Sequence, residues 1–227
     1  MARKPGKKSR TKKRTPEPAS YFIGTEGKKT EVLYFQTIAE YLIGEYDQYK
    51  DRIEIPNLTI EGMGTSNFSL IKDVEDYLRK EPRLFENVWL LFDKDDIPND
   101  YFDNAITSIG KKGFKVAWTN DSFELWLLLH FEFLHSGINR EQYKEKLSKY
   151  LASADIDKYE KNSKEIMEFL MDKRNTAIKN AKRLEEYHDL SAPPSAKNPC
   201  TTVHYLMEDL LKVESEIKKI QAEEKYS

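Results

Sequence analysis

The feature that most constrains this chain is the run Val88-Trp89-Leu90-Leu91-Phe92, which passes without a break into Asp93-Lys94-Asp95-Asp96. A strand that is wet on one face alternates apolar and polar residues. An unbroken apolar run instead marks a strand covered on both faces, the central position of a parallel sheet. The flanking patterns agree. Tyr21-Phe22-Ile23-Gly24 reads as a first buried strand, and a polar loop follows it. Thr30 is placed to cap the next helix, with Glu31 in its first turn, where the helix dipole favours an acid. That helix carries Leu33, Phe35, Ile38 and Leu42 at helical spacing. Arg52 to Ile60 alternates as a second strand, and Pro56 within it favours an edge position or a bulge. Gly62 and Gly64 mark a turn. A helix from Asn67 or Ser69 carries Ile71, Val74 and Leu78, another spans about Asp100 to Gly110, and Phe114 to Trp118 is a further strand.

Strand and helix thus alternate through residue 118, which predicts an α/β fold with a four-stranded parallel sheet flanked by helices. Its strands are expected near 21–24, 53–60, 88–92 and 114–118. Beyond them every pattern is helical: 123–133, 142–151, 163–187 and 203 to about 220, with Ser191-Ala192-Pro193-Pro194 as a breaker. The expected division is a disordered basic tail over 1–18, an α/β domain over 19–135 and a helical extension packed on it over 136–227.

Charge separates the tail from the rest. Residues 1–16 hold eight Lys or Arg and no acid, so a net charge of -2 for the whole chain leaves the remainder at -10. Such a segment either contacts nucleic-acid phosphates or serves as a solvated arm, and the acidity of the folded part favours the first. The single cysteine, Cys200, excludes an intrachain disulfide. No apolar run approaches the roughly 18 residues of a membrane span, and the N-terminus lacks the apolar core of a secretory signal. A cytoplasmic location without a membrane partner is the expectation.

The chemistry gathers where strands end. Glu26 follows the first strand, and Asp93 and Asp95 end the central one; ligands of parallel α/β sheets bind outside these carboxyl ends. Carboxylates that converge repel unless a cation lies between them, and oxygen ligands suit Mg²⁺ or Mn²⁺. Such an ion polarises a phosphate and stabilises the attacking and leaving oxygens. Asp-Lys-Asp-Asp alone is equally a solvated turn that caps the next helix; the combination with Glu26 favours the metal centre. Asp96 is an additional ligand or a cap. Asn120-Asp121-Ser122 lies past the fourth strand, with Ser122 as a candidate N-cap and Glu124 in the first turn of an apolar helix. Glu124 there needs a partner, either free amides or a metal. His130 reads as a packed, hydrogen-bonded histidine rather than a catalytic one, His135 as exposed, and Cys200 as structural. Lys28 and Lys29, Lys179 and Asn180, and Asn198 and Thr201 are candidate contacts to a polyanionic substrate. Solvated faces and capping turns are the plain alternative, with Thr201 or Thr202 as the cap of the last helix.

The motifs FIGTEGKKTEVLYF, LLFDKDD, TNDSFELWLLLHF, the NA pair of KNAKRL, and NPCTTVHYL occur in that order. Together they resemble the RloB family, also described as AbiLii-like, over Tyr21 to about Leu211. The family is regarded as Toprim-like, and its members lie beside restriction-modification or abortive-infection genes. The resemblance implies that Glu26 matches the Toprim glutamate, Asp93 and Asp95 its DxD, Glu31 the second acid of EGxxTE, and Glu124 the acid of FExW. Family members often carry Asn-Pro before that last motif, where this chain has Asn120-Asp121. The resemblance further implies a Mg²⁺- or Mn²⁺-dependent nuclease that cuts RNA (tRNA is a candidate) or DNA in antiphage defence. The implied partner is a separately encoded ATPase of the ABC/SMC-like, AAA type; this chain has no GxxxxGK[ST] phosphate loop of its own. A catalytically inactive module that binds nucleic acid or the ATPase is the rival reading. A strand-transfer enzyme is a third, and the thirteen tyrosines single out no nucleophile for it. Self-association as a homodimer stays open.

Overall fold

The computed structural model describes residues 15–225. The expected basic arm therefore lies outside the described residues except at its end, where residues 17 and 18 belong to the first strand. The sheet contains β1 (Glu17–Thr25), β2 (Asn57–Gly62), β3 (Phe85–Asp93), β4 (Lys115–Asn120) and β5 (Cys200–Thr201). Their order is β2-β1-β3-β4-β5. The first four are parallel, and β5 is antiparallel to β4. The four expected strands are thus present, and the short fifth one completes a mostly parallel five-stranded sheet. Two residues leave no periodicity to read, which is why Cys200 and Thr201 look like the start of a helix in sequence.

The helices are α1 (Thr30–Tyr46), α2 (Asn67–Lys80), α3 (Asn99–Lys111), α4 (Glu124–Leu128), α5 (Arg140–Ala152), α6 (Lys164–Met171), α7 (Arg174–Glu186), α8 (Val203–Leu210) and α9 (Lys212–Lys225). Three expected helices prove shorter or divided. The 123–133 pattern is helical only as α4, 163–187 breaks between Met171 and Arg174, and 203–220 breaks at Leu211. The apolar spacing continues across the last two breaks because the pieces on either side bury residues in the same core cluster. β2 begins only after Pro56 and lies at the sheet edge, where a residue without an N–H costs no ladder bond.

β3 is central, and its neighbouring side chains divide between two cores. Trp89 and Leu91, with Tyr21, Ile23 and Ala117, face α1 and the later helices. Leu90 and Phe92, with Phe22 and Trp118, face α2 and α3. Full burial of each such side chain is worth about 1.5–3 kcal/mol, so the uninterrupted apolar run both places β3 at the centre and holds it there. Gly24 permits the close packing of α2: a Cβ there would lie 2.6 Å from Val74 Cγ2. The C-terminal region is tied to the sheet by β5, by Thr202 N–H donating to the Trp118 carbonyl at 2.9 Å, and by a Lys115–Asp209 ion pair of 2.6 Å. No helix among the described residues is long and apolar enough to cross a membrane.

Candidate metal centre

Parallel strands β1 and β3 are adjacent, so their carboxyl ends deliver Glu26 and Asp93 side by side. The Glu26 N–H donates to the Leu91 carbonyl at 2.9 Å, extending the ladder one residue past β1. The Asp93 N–H in turn lies 3.3 Å from Glu26 Oε2. β4 supports the next step: Lys94 N–H donates to the Thr119 carbonyl at 2.8 Å and Asp95 N–H to the Asp121 carbonyl at 3.0 Å. Asp95 has φ +35°, a left-handed conformation that Asp tolerates better than most residues. The Asn120–Asp121 peptide is cis.

These ends open into a cleft of about 330 Å³, lined by Glu26, Lys28, Glu31, Asp93, Asp95 and Glu124 among others. Lys29, Arg140 and Lys161 also line it. The β1–α1 loop is shaped for the purpose. A Cβ on Gly27 would stand on the Glu31 carboxylate, so the glycine lets that acid fold back over the loop. Thr30 is the first residue of α1 rather than its cap, and its hydroxyl donates to the Lys161 carbonyl at 3.2 Å. Ser122 makes no cap bond either; its Oγ is buried without a hydrogen-bond partner. The Phe123 N–H, at the start of α4, donates instead to Asp93 Oδ2 at 2.9 Å. Asp93 therefore reaches across from β3 to fill the place of a cap, while its Oδ1 is buried and makes no hydrogen bond.

The electrostatics follow from crowding. Burial, then the charges of Asp95 and Glu31, push the Glu26 carboxyl up to about 7 against the opposing pull of the Asp93 N–H. Burial first, and then Glu31, Asp95 and Glu26, raise Asp93 well above the carboxylate range. Burial and Glu124 raise Glu31. Burial also opposes the charge on Glu124, but Lys161, its own backbone amide and Arg140 outweigh burial, and Glu124 is lowered. Lys161 Nζ lies 3.2 Å from Glu124 Oε1. Arg140 Nη2 lies 2.6 Å from Asp95 Oδ1 and 3.8 Å from Asp93 Oδ2, with Nε 3.7 Å from Glu124 Oε2.

Among the described residues, no three His, Cys, Asp or Glu side chains stand ready around one point for a metal ion. The Arg140 guanidinium lies among the carboxylates and satisfies part of their charge. The donors themselves fit a hard divalent cation. They are all oxygens, they are held at neighbouring strand ends, and Asp93 Oδ1 is buried with nothing bound to it.

Of the residues singled out in sequence, Glu26, Asp93, Asp95, Glu124, Lys28 and Lys29 come together in the cleft. Asp96 does not line it: it is exposed, three residues short of α3, and caps nothing. Asn180 Nδ2 donates to the Leu129 carbonyl at 2.8 Å, which ties α7 to the turn after α4, and Lys179 beside it is exposed. Thr201 is buried in β5, 3.0 Å from the Thr119 hydroxyl, and Thr202 Oγ1 accepts from the Trp118 N–H instead of capping α8. Asn198 Nδ2 donates to Asp121 Oδ1 at 3.0 Å, on the same residue whose carbonyl accepts from the Asp95 N–H. His130 is buried between Tyr34 and Trp126; Nδ1 donates to the Trp126 carbonyl at 3.0 Å, Nε2 accepts from Tyr34 Oη at 3.1 Å, and burial lowers its pKa to about 4. His135 is exposed. Cys200 is buried, and burial pushes its thiol up to about 12. Sequence reading missed Arg140 and Lys161, which arrive from segments about 45 and 66 residues beyond Asp95, judged by position in the chain. Neither has a local motif; only the surplus of acids at the strand ends indicates that cations must come from elsewhere.

The family model described as RloB-like protein matches residues 21–210. No curated protein and no solved structure matches the chain.

Proposed function

The chain belongs to the RloB-like protein family, and from that premise we propose that it is a Toprim-like, Mg²⁺- or Mn²⁺-dependent nuclease whose centre is Glu26, Asp93 and Asp95. The single observation that carries this reading is the cleft itself, which carboxylates from the ends of two adjacent parallel strands line together and where the buried Asp93 Oδ1 has no hydrogen-bond partner. Carboxylates at this density repel each other, and their crowding is costly unless it holds a cation. The order of acids also supports the reading, with a glutamate after β1 and Asp-x-Asp after β3.

Glu26, Asp93 and Asp95 would hold the ion, which supplies polarisation of a phosphate and stabilisation of the attacking and leaving oxygens. The chain's own residues do the rest. In the metal-free cleft burial pushes the Glu26 carboxyl up to about 7, and a bound cation would hold it ionised as a ligand. Glu124 stays ionised beside Lys161, so it orients that lysine instead of carrying a proton. Lys28 and Lys29, at the open N-terminal end of α1, present positive charge to a phosphodiester backbone. RNA, including tRNA, and DNA are both candidate substrates.

The reading extends to antiphage defence with a separately encoded ATPase of the ABC/SMC-like type. A hydrolytic centre in a chain without a nucleotide-binding phosphate loop has no built-in switch, and restraint supplied by a partner fits that arrangement. The test is incubation of the purified chain with end-labelled total tRNA and DNA, with Mn²⁺ or EDTA, alone and with the ATPase encoded beside it. Mn²⁺-dependent cleavage, lost in Asp93→Asn, is the expected outcome. Binding without cleavage under every condition would replace the nuclease by a binding module.

A further inference from the structure

The cleft collects five carboxylates, Glu26, Glu31, Asp93, Asp95 and Glu124. One cation reaches three of them. Arg140 is the first residue of α5, fixed in place by the Asn139–Gln142 capping box. Its backbone is therefore anchored, but its guanidinium is loosely engaged. Only Asp95 is within hydrogen-bond distance, at 2.6 Å; Asp93 and Glu124 lie at 3.8 and 3.7 Å, and the Arg140 Nε makes no hydrogen bond. Asp93 Oδ1 remains without a hydrogen bond, and the Arg140 contact to Asp93 is to the other oxygen, Oδ2, at 3.8 Å. A planar monocation serves such a cluster poorly, because its donors lie in a fixed fork and cannot surround several converging oxygens. The same fork matches two oxygens of a phosphate.

We propose that Arg140 is the resident cation of the metal-free cleft, that a divalent ion displaces it from Asp95 and Asp93, and that the released guanidinium then binds a substrate phosphate. This rests on the metal-centre reading above. No bond is made or broken; the guanidinium changes carboxylate partners for a phosphate partner, and the charge it leaves is replaced by the ion. Two consequences follow. Metal and arginine compete for the same oxygens, so removing the arginine tightens the metal. Phosphate draws the arginine off the carboxylates, so phosphodiester and metal each strengthen the binding of the other, as reciprocal linkage requires.

The experiment measures Mn²⁺ affinity of the full chain by electron paramagnetic resonance, with and without short phosphorothioate RNA and DNA oligonucleotides, for native protein, Arg140→Gln and Arg140→Lys. Arg140→Gln should bind Mn²⁺ about tenfold more tightly than native protein and should lose the oligonucleotide-dependent gain. Arg140→Lys, which keeps the charge but not the fork, should bind Mn²⁺ like native protein and show a reduced gain. A merely structural arginine would lower stability and Mn²⁺ affinity together. If native protein binds Mn²⁺ and Arg140→Gln binds it equally or more weakly, the exchange is overturned while the metal centre stands. An equal oligonucleotide gain in native protein and Arg140→Gln overturns the handover to phosphate. If neither protein binds Mn²⁺, the metal centre fails and the exchange with it. Should Arg140→Gln not fold, an undiminished gain in Arg140→Lys overturns the proposal on its own.

Discussion

Replacing Glu26 by Gln isolates the electrostatic cost of the cleft. In the metal-free protein burial raises the Glu26 carboxyl from an ordinary 4.5 to about 7. The folded state thus keeps a proton that the unfolded chain has already released between those two values. The contribution of this group to stability is complete below pH 4.5 and declines as pH rises towards 7, after which it stays lost. At about 1.36 kcal/mol per pH unit the shift corresponds to about 3 kcal/mol, and partial exposure of Glu26 to solvent reduces this to about 2 kcal/mol. Gln is neutral throughout and can still accept the 3.3 Å contact from the Asp93 N–H. In EDTA, urea unfolding at fixed ionic strength should show native protein and Glu26→Gln similar at pH 4.5 and the variant more stable by about 2 kcal/mol at pH 8.5. Saturating Mn²⁺ should reverse that order by stabilising the native protein more. Parallel stability curves across this range would refute the reasoning, because they would mean that Glu26 ionises in the folded cleft as freely as in water.

Three further outcomes are expected. Asp95→Asn keeps the left-handed φ but removes a charge, so nuclease activity on labelled RNA or DNA should fall about a hundredfold or more while the melting temperature shifts little, the Asp95–Arg140 pair being partly exposed. Gly27→Ala sets a methyl where the Glu31 carboxylate now lies; calorimetry should find weaker Mn²⁺ binding at nearly unchanged stability, and unchanged binding would mean that the Glu31 carboxylate does not act on the metal centre. Deleting residues 1–16, which hold eight cations, should flatten the salt dependence of nucleic-acid binding, each lost phosphate contact taking about 0.7–0.9 from the log–log slope. An unaltered slope in that titration would leave the arm with no role in binding.

What the sequence revealed about the fold was carried by the strands. Val88 to Phe92 announces a central position because burial on both faces leaves no polar alternation, whereas Pro56, expected within the second strand, instead lies just before β2, which is an edge strand. The short antiparallel β5 was hidden, since Cys200 and Thr201 are defined by pairing with β4 and not by any local pattern. Helix ends were misjudged where a partner distant in sequence replaces a local cap: Asp93 takes the Phe123 N–H in place of Ser122, and Thr30 binds the Lys161 carbonyl. The acidic half of the cleft was legible from strand ends. Of its basic residues Lys28 and Lys29 were legible beside Glu26, whereas Arg140 and Lys161 were not, because they enter from the helical region through tertiary packing alone. Asn180, Asn198 and Thr201 were read as candidate substrate contacts, and in the structure those polar groups meet backbone or neighbouring side chains instead of the cleft.

Glu26, Asp93 and Asp95 are proposed to hold one divalent cation. Crystals of the full chain grown with Mn²⁺ and measured at a wavelength where manganese scatters anomalously test it most directly. An anomalous peak is expected within about 2.0–2.6 Å of carboxylate oxygens of these residues, with the Arg140 guanidinium withdrawn from Asp95. A Mn²⁺-saturated crystal with no peak in the cleft, and Arg140 still paired with Asp95, would contradict it.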